Sequence, residues 1–588
     1  MSSLPSKELL SSIPGKAKMS KLRSTLVAGV AAGIGAIVAN QFGCAAVTNT
    51  TAIQCTSEAE CLARGPEFAG TTCDKATKTC VKSPEDQDLC AKNQECIDKA
   101  GGAPSICLKA TRKCVALTTP ECPTVLAKPG QLLDDNTIVI GMLSAAGATF
   151  DSGNGDQMEK AAALAQTDIA KSVRGLPAID GSSNIRPLVI VSCHEFDGGY
   201  PGIIRAANHL AKNVRVPVVI GPIDGANQLA VTSQVFSPSG VLTIIPFRTA
   251  VVDVPSAISP TPIVWSLSFT DRQIASSASQ LVTKDLEPKL RARGVTGPIR
   301  VAMIVEENAL GTTTADVMEG QLTFNGKTAI ANATDTPSSY LRVKLGDFID
   351  AVGNPSPADG AAKAVSAVIN FKPHIILHSY APAAAAATFV PLTLQWPATE
   401  PRPYGIDLIS VFPLLAPVVD MIDTFGLHGL TFSQMGRATD QDRVNQWLVK
   451  YKTEYPDITN FAQTESQVVQ TWYDAVYYAA YAIAANGNKP LTGANLAATL
   501  PRMQPPGQKI RTGTEDLSKA FSVLAGGQGI DVEGITGDLD LDSRRAAPSP
   551  DVNITCAEKS PQTQKTIRFK PSGFFVQGGV GQGTANCQ

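Results

Sequence analysis

The sequence has almost no excess of positive or negative charge, which argues against a nucleic-acid partner. Its 588 residues include 50 Lys and Arg against 52 Asp and Glu, for a formal net charge of −2 at pH 7. A nucleic-acid partner requires a basic surface, so the composition gives no indication of one. The hydrophobic content of 44% and the charged content of 17% are ordinary for a globular protein, and the length predicts more than one domain.

Motifs for phosphate binding and nucleophilic catalysis are also missing. The segment FNGKTA contains Gly326-Lys327-Thr328, the end of a phosphate-binding loop, but the first glycine of that motif is replaced by Gln321. The segment also follows a predicted helix instead of opening one. There is no G-x-S-x-G nucleophile motif, no G-x-G-x-x-G after a predicted strand and no marked pair of carboxylates. We therefore expect a binding protein without a cofactor, not an enzyme.

Histidine is scarce, and neither group of potential metal ligands has a metal-binding pattern. Of five histidines, His374 and His378 are four residues apart on a predicted strand and share one face. No Cys or carboxylate ligand is beside them, so we interpret them as core or cleft-edge histidines. The segment CHEFD (193–197) resembles a ligand cluster, but it ends a strand, where turn-forming Asp and half-exposed His are common. We predict no metal site.

Basic residues followed by an apolar run predict export. The run is STLVAGVAAGIGAIVAN (24–40), and QFGCAA follows it. This order is typical of a secretory signal peptide, which we place at residues 1–43. Glycines interrupt the run, so it would make a weak membrane anchor. The basic residues are Lys16, Lys18, Lys21 and Arg23.

Gly43-Cys44 resembles the end of a bacterial lipobox, in which the Cys is lipidated after cleavage. Gln41 stands where that motif prefers Leu, and an ordinary signal-peptidase cut near Cys44 is the alternative. We predict lipidation of Cys44 and a tether over residues 44–54. The protein would then lie in the periplasm or at the cell surface, anchored to a membrane.

Twelve of the 13 cysteines remain beside Cys44, and an even number in an exported chain indicates disulfides. Eight of them form a repeat at 55–80 and 90–114, in which CTSEAEC…CDKATKTC matches CAKNQEC…CLKATRKC. Zinc sites use short C-x2-C pairs, so we predict two small disulfide-bonded modules, with a pairing that the sequence leaves open. The repeated cysteines are Cys55, Cys61, Cys73, Cys80, Cys90, Cys96, Cys107 and Cys114. The others are Cys122, Cys193, Cys556 and Cys587, of which the last two are candidates to close the C-terminal tail.

From residue 136 the chain alternates strand-like and helix-like segments. IVIGMLS (138–144) and PLVIVSC (187–193) are each followed by apolar residues at helical spacing. Parallel strands need such crossovers, and the pattern starts again at PIVWSLSF (262–269). The fold class is therefore α/β, with two Rossmann-like lobes built on parallel sheets. A late segment, ESQVVQTWYDAVYYAAYAIAANG (465–487), predicts a long amphipathic helix.

The order of these segments resembles the type I periplasmic solute-binding proteins of the leucine/isoleucine/valine kind, which serve ABC transporters. The segments that resemble the family's sequences are VVIGPIDGANQ…GVLTIIPFRT, VAMIVEENALGTTTADVMEG, TWYDAVYYAAYAIAANG and GITGDLDLD. The resemblance implies two lobes joined by a three-crossing hinge, with the ligand between them. It assigns residues 136–260 and 410–500 to lobe 1 and 261–409 and 501–555 to lobe 2, and it leaves 556–588 as a tail.

The resemblance also implies which residues of lobe 1 face the ligand. In the family, small residues and backbone N–H groups after the third and fourth strands bind an amino acid's carboxylate, a role that suits helix N-termini. This chain has Gly225 and Ala226 where the family usually has serine, which removes a hydroxyl donor. The matching residues are Gly225, Ala226, Asn227, Phe247 and Thr249.

In lobe 2, Tyr380 matches the family's aromatic lid. Asp407 matches the acidic residue that pairs with the ligand's ammonium group through a charge-assisted bond, and a turn-capping role is its alternative. Phe150, in the first strand–helix loop, is a further candidate, with core packing as its alternative. Tyr473 and Asp474 on the late helix are predicted to pack in the core.

Together these features predict an extracytoplasmic solute-binding lipoprotein. It would capture an amino acid or a similar small polar ligand by closure of the two lobes, and would deliver it to an ABC permease or a sensor. The alternative is a surface interaction or adhesion lipoprotein, in which the cysteine-rich modules carry the function on a repurposed scaffold.

Overall fold

The computed structural model describes residues 53–65, 68, 71–82, 89–147, 154–177, 185–223, 225–246, 263–268, 271–307, 309–346, 360–379, 388, 391–407, 429–433, 441–458, 467–541, 552–559, 567–577 and 579–586. The predicted signal peptide and Cys44 lie outside these residues. The chain divides into two compact units, Met1–Asp86 and Gln87–Gln588. The first unit holds the first cysteine-rich repeat, and the second unit holds the second repeat and both lobes.

The first repeat is a short helix and a β-hairpin closed by two disulfides. Helix α1 covers Glu58–Leu62, and strands β1 (Thr71–Asp74) and β2 (Thr79–Lys82) pair antiparallel. The Glu60 carboxylate accepts hydrogen bonds from the N–H and the hydroxyl of Thr56, both at 2.7 Å, so it satisfies a donor at the start of the helix. The disulfides are Cys55–Cys73 and Cys61–Cys80.

The second repeat folds in the same way. It consists of α2 (Asn93–Lys99) and the hairpin of β3 (Ser105–Leu108) and β4 (Lys113–Ala116). Glu95 repeats the role of Glu60, because its carboxylate accepts from the Ala91 N–H at 2.9 Å. The disulfides Cys90–Cys107 and Cys96–Cys114 again join first to third and second to fourth cysteine. The prediction of disulfides in both repeats is confirmed.

Lobe 1 is built on a six-stranded sheet. Its strands are β5 (Thr124–Leu126), β6 (Ile138–Ser144), β7 (Leu188–His194), β8 (Val218–Ile220), β9 (Leu242–Ile245) and β10 (Val264–Ser266). The order is β10-β9-β8-β6-β7-β5, and all neighbours run parallel except β5, which is antiparallel to β7. The apolar runs that predicted β6 to β9 are buried along almost their whole length.

The second repeat covers one face of this sheet. Successive strand residues point to opposite faces, so Ile138 and Ile140 join one hydrophobic cluster while Val139 joins another. Ile106 and Leu117, from the second repeat and the segment after it, are buried in the same cluster as Val139. The second repeat is therefore a structural part of lobe 1 and not a free module.

Polar contacts fix the same junction. The N–H of Asn93 donates to Asp135 Oδ1 at 2.7 Å, and Arg205 Nε pairs with Glu121 Oε1 at 2.6 Å. His209 Nε2 lies 3.1 Å from the Leu117 carbonyl oxygen, and burial lowers the pKa of His209. A neutral imidazole therefore donates to that carbonyl near neutral pH. The disulfide Cys122–Cys193 closes the junction.

Lobe 2 is built on an eight-stranded sheet. Its strands are β11 (Val301–Glu306), β14 (Tyr340–Leu345), β15 (Ile375–Ser379), β16 (Tyr404–Asp407), β17 (Gly429–Ser433), β21 (Val552–Lys559), β22 (Ile567–Gln577) and β23 (Val580–Gly583), and a separate ribbon is formed by β12 (Thr323–Phe324) and β13 (Lys327–Thr328). The order is β14-β11-β15-β16-β17-β21-β22-β23. The first five are parallel, and β21 to β23 extend the sheet antiparallel.

Three crossings join the lobes, but they lie later in the chain than the sequence predicted. β10 pairs with β9, so the first crossing follows residue 266 instead of 260. β17 pairs with β16, so the second follows residue 433 instead of 409. Residues 500–541 pack into the core of lobe 1, so the third follows residue 541 instead of 500. A short apolar segment carries no signal for which sheet it joins.

The predicted C-terminal tail is also part of lobe 2. β21, β22 and β23 make its sheet eight strands wide, and Phe574 and Val576 are buried in its core. Cys556, on β21, is disulfide-bonded, and its partner lies outside the described residues. The pairing with Cys587 stays a prediction.

The helices cover both sheets. They are α3 (Asn154–Val173), α4 (Gly199–Asn208), α5 (Gly225–Val231), α6 (Asp271–Leu281), α7 (Glu287–Ala292), α8 (Ala309–Gln321), α9 (Ala329–Ala333), α10 (Ala361–Phe371), α11 (Gln441–Glu454), α12 (Gln467–Ala485), α13 (Gly493–Ala497) and α14 (Leu517–Ala525). A small sheet of β18 (Gln508–Arg511), β19 (Ile530–Gly534) and β20 (Gly537–Asp538) completes lobe 1. In the described part of the chain, no helix has the length and apolar character that a membrane span requires.

Helix α12 is the centre of lobe 1. Every residue from Val469 to Asn486 is buried, so the prediction of an amphipathic helix was wrong. Tyr473 and Asp474, two of its polar side chains, have partners inside the core. The Tyr473 hydroxyl donates to Asp168 Oδ2 at 2.6 Å, and Lys450 Nζ lies 2.6 Å from the other oxygen of that carboxylate, Asp168 Oδ1. Burial raises the pKa of Tyr473, so its hydroxyl stays a neutral donor.

Asp474 on the same helix holds the turn between β19 and β20. Its buried carboxylate accepts from the Thr512 hydroxyl at 2.6 Å and from the Ile535 N–H at 2.9 Å. It also accepts from the N–H and the hydroxyl of Thr536, at 3.0 and 2.8 Å. Burial raises the pKa of Asp474, and these four hydrogen bonds lower it in opposition. Tyr473 and Asp474 are thus core residues, as predicted.

Replacing Asp474 by Asn should lower the free energy of unfolding by about 2–4 kcal/mol, because an amide sets its own N–H groups against buried donors. Urea denaturation followed by circular dichroism measures the change. The matched control is Asp442→Asn at an exposed position of α11, where we expect less than about 0.5 kcal/mol. Equal stability of the two variants would contradict the role assigned to Asp474.

Candidate functional site

The candidate site is the cleft at the strand ends of the two sheets. Ligands of open α/β sheets bind beyond the carboxyl ends of the strands, and in lobe 1 these are the ends of β6, β7 and β8. In lobe 2 they are the ends of β11, β15 and β16. Helix α5, which follows β8, lies against α8, which follows β11. The two edges therefore form the walls of one cleft.

The turn after β8 has a shape that only glycine permits at its start. Gly221 has a φ of +97°, which L side chains rarely adopt. A Cβ atom there would overlap the Leu143 carbonyl oxygen and come within 2.9 Å of the Trp472 ring. The backbone of β8 is thus pressed between β6 and the central helix, which fixes where the turn leaves the sheet.

Two side chains complete this turn. Gln228 Nε2 donates to the carbonyl oxygens of Pro222 and Ile223, at 3.3 and 3.1 Å. The N–H of Ile223 donates to Glu195 Oε2 at 2.8 Å. Asn227 Nδ2 donates to the other carboxylate oxygen of Glu195, Oε1, at 3.1 Å. One carboxylate therefore joins the turn to the first turn of α5.

Glu195 itself is held from the opposite side. It is 1% exposed, and its N–H donates to the Ser144 carbonyl oxygen at the end of β6, at 2.7 Å. Two residues earlier, Cys193 is bonded to Cys122. The segment after β7 is thus fixed before it reaches the turn.

The CHEFD segment is structural in all its described contacts. Cys193 is in a disulfide, His194 Nδ1 lies 2.8 Å from Asp197 Oδ2, and Glu195 binds the turn after β8. Among the described residues, the groups with metal-ligand spacing are Cys55, Cys61 and Cys73, and Cys90, Cys96 and Cys114. All six cysteines are in disulfides.

The two strand histidines are buried or capped. His374 Nδ1 accepts from the Arg300 N–H at 2.9 Å, and burial lowers the pKa of His374 to about 4. His378 is 2% exposed, and burial lowers its pKa to about 3. It borders a small apolar pocket inside lobe 2 with Leu392 and Trp396. Both imidazoles are therefore neutral near pH 7.

The structure places four of the predicted ligand residues. Gly225, Ala226 and Asn227 are the first three residues of α5, on the wall of lobe 1. Asp407 is the last residue of β16, paired in register with His378 of β15, at the edge of lobe 2. Phe150, Phe247, Thr249 and Tyr380 lie outside the described residues, and their roles stay predictions.

Glu195 was not predicted as a site residue, and Asn227 was predicted to contact the ligand, a role that stays a prediction. The Asn227 amide binds Glu195. A glutamate at a strand end that is otherwise apolar was the available signal, since a buried carboxylate needs donors nearby.

No protein-family model matches the chain, and no curated protein matches it in sequence. Solved structures do resemble it. A periplasmic binding protein type 1 from Bordetella pertussis Tohama I is 15% identical, with a TM-score of 0.51, over 74% of this chain and 100% of the other. A solute-binding protein of an ABC transporter from Rhodopseudomonas palustris BisB5, solved with 3,4-dihydroxybenzoic acid, is 14% identical, with a TM-score of 0.51, over 75% and 98%.

A leucine-binding protein from Thermotoga maritima MSB8 is 13% identical, with a TM-score of 0.49, over 74% of this chain and 97% of the other. The two structures with TM-scores of 0.51 establish the fold. The chain has the type I periplasmic-binding-protein fold, preceded by disulfide-bonded repeats.

Replacing Gly221 by Ala should destabilise the protein by about 3 kcal/mol or more, because the new Cβ adds a clash to the cost of a left-handed backbone. The matched control is Gly240→Ala, which has a φ of +67° and no atom within 4 Å of the new Cβ. It should lose about 1–2 kcal/mol. Thermal melts of both variants measure the difference, and an equal loss would show that the close approach of β6 and Trp472 has no energetic effect.

Proposed function

We propose that this protein is an extracytoplasmic solute-binding protein that captures an amino acid or a similar small polar ligand between two closing lobes. The observation that supports this proposal is the pair of parallel sheets whose strand ends flank one cleft, with α5 of lobe 1 against α8 of lobe 2. Such a cleft binds by closure, because a ligand that touches both walls favours the closed state.

The ligand contacts are proposed from both walls. On lobe 1, the N–H groups of Gly225 and Ala226 at the start of α5 suit a polar or anionic group. On lobe 2, Asp407 at the end of β16 suits a cationic group such as an ammonium. A solute-binding protein of this fold has been solved with 3,4-dihydroxybenzoic acid, so aromatic acids belong in any ligand screen. The remaining proposed cleft residues are Phe150, Phe247, Thr249 and Tyr380.

Disulfides support export. The described residues contain five disulfides with both partners defined, and disulfides persist in oxidising compartments. The proposed route is a signal peptide over residues 1–43, lipidation of Cys44 and attachment to a membrane. The proposed partner is an ABC permease or a sensor. No described feature favours adhesion through the repeats, since the second repeat is packed into lobe 1.

A thermal-shift screen of amino acids and aromatic acids tests the binding function. A true ligand at 100 times its Kd should stabilise the protein by about 2.7 kcal/mol, and small-angle scattering should show a smaller radius of gyration. Asp407→Ala should abolish the shift for a cationic ligand, whereas Asp442→Ala, at the exposed position on α11, should keep it. No shift across the whole set would contradict the proposal.

The anchor has a separate test. In the intact cell, Cys44→Ser should move the protein from the membrane fraction to the soluble extracytoplasmic fraction, because the thioether to the lipid cannot form. Mass spectrometry of the wild-type N-terminal peptide should show a lipid adduct on Cys44. An unmodified Cys44 with a cut beside it would support ordinary signal-peptidase processing.

A further inference from the structure

We propose that Glu195 is a positioning residue of the ligand site. This inference deepens the proposed function and rests on it. The buried carboxylate sets the turn after β8 and the first turn of α5 in the geometry that faces the cleft. It also uses two donors of that wall, the Ile223 N–H and the Asn227 amide, so that a ligand does not bind there through them.

Glu195 connects the turn after β8 to helix α5. Its two carboxylate oxygens accept from two different elements: Oε2 from the Ile223 N–H in the turn, at 2.8 Å, and Oε1 from Asn227 in α5, at 3.1 Å. An ionised carboxylate only accepts, so the contacting atom of Asn227 is its amide nitrogen. The single carboxylate thus fixes the distance between the turn and the helix.

Two anchors hold Glu195 itself in place. Its backbone is bonded to the Ser144 carbonyl oxygen at the end of β6, and Cys193, two residues before it, is bonded to Cys122. Neither anchor belongs to the turn. The rigid side of the contact is therefore Glu195, and the positioned side is the turn, as a precise binding site requires of its supporting residues.

The burial of Glu195 limits how a ligand can bind at this wall. Glu195 is 1% exposed, so the carboxylate lies behind the wall and does not reach into the cleft. A ligand's anionic group would have to displace it to reach the Ile223 N–H, which removes a buried charge from its donors. The polar group bound at this wall must therefore use other donors, and it must tolerate a carboxylate directly behind them.

Asn227→Asp tests the positioning, because it places a second carboxylate against Glu195. In the ligand-free protein, amide hydrogen exchange of residues 218–231 should become about tenfold faster. For a ligand found in the screen, the Kd should rise about tenfold, measured well below the melting temperature. Asn213→Asp, an exposed position, adds the same charge and should leave both unchanged.

The double variant Glu195→Gln/Asn227→Asp should restore slow exchange and affinity. The amide side chain introduced at position 195 can accept from the Ile223 N–H through its carbonyl oxygen and donate its N–H to the carboxylate at position 227. The contact is thereby rebuilt with donor and acceptor exchanged. Asn227→Ala, which removes one bond without adding charge, should give a smaller loss and serves if Asn227→Asp fails to fold.

Wild-type exchange in Asn227→Asp, or no recovery in the double variant, would overturn the proposal. Loosening and rescue with unchanged affinity for a bound ligand would also overturn it, since the turn would then not face the ligand. If exchange behaves as expected but no tested compound binds the wild type, the positioning of the turn stands and the proposed binding function fails.

Discussion

Lobe 1 depends on the burial of a single helix. Because every residue of α12 from Val469 to Ala485 is buried, the helix has no face that water can satisfy, and each of its turns must contact protein. The cover comes from segments far apart in the chain: Tyr473 bonds Asp168 across 305 positions. The sheet, α3, α14 and the small sheet of β18 to β20 are thus arranged around one element. Lobe 1 can fold only when both of its chain segments are present. The chain therefore has to cross between the lobes more than once.

A buried carboxylate shapes a turn in two places of this lobe. Asp474 gathers the donors of residues 535 and 536, and Glu195 gathers those of Ile223 and Asn227. In both cases the carboxylate accepts from backbone N–H groups of a turn, those of residues 535 and 536 and that of Ile223, which would be costly to bury without an acceptor. The device gives a loop a fixed shape without lengthening the regular elements on either side.

Most of the strands could be predicted, because strands of parallel sheets are apolar on both faces and so carry a strong local pattern. Other features could not. β10 is three residues long, and its segment reads the same whichever sheet it joins. α12 looked amphipathic because its tyrosine hydroxyls and Asp474 are polar, and only the folded lobe shows that Tyr473 and Asp474 bond to buried partners. Glu195 lies 28 and 32 positions from the residues it binds, and they meet only because β7 and β8 both flank β6. The spacing of the cysteines predicted that disulfides form, but only the folded structure shows which cysteines pair.

The duplicated repeat has two different structural contexts. The first copy lies in a unit of its own, whereas the second is inside the unit that begins at Gln87. A recombinant fragment designed from the family resemblance would start near residue 136 and would omit β5 and the second copy. Its β7 would become an open edge, a template for pairing with other chains. Cys193 would carry a free thiol, and the apolar surface around Val139 would be bare to solvent. The second repeat and β5 therefore cover surfaces of the lobe 1 sheet, and a fragment without them would expose an open edge and an apolar face.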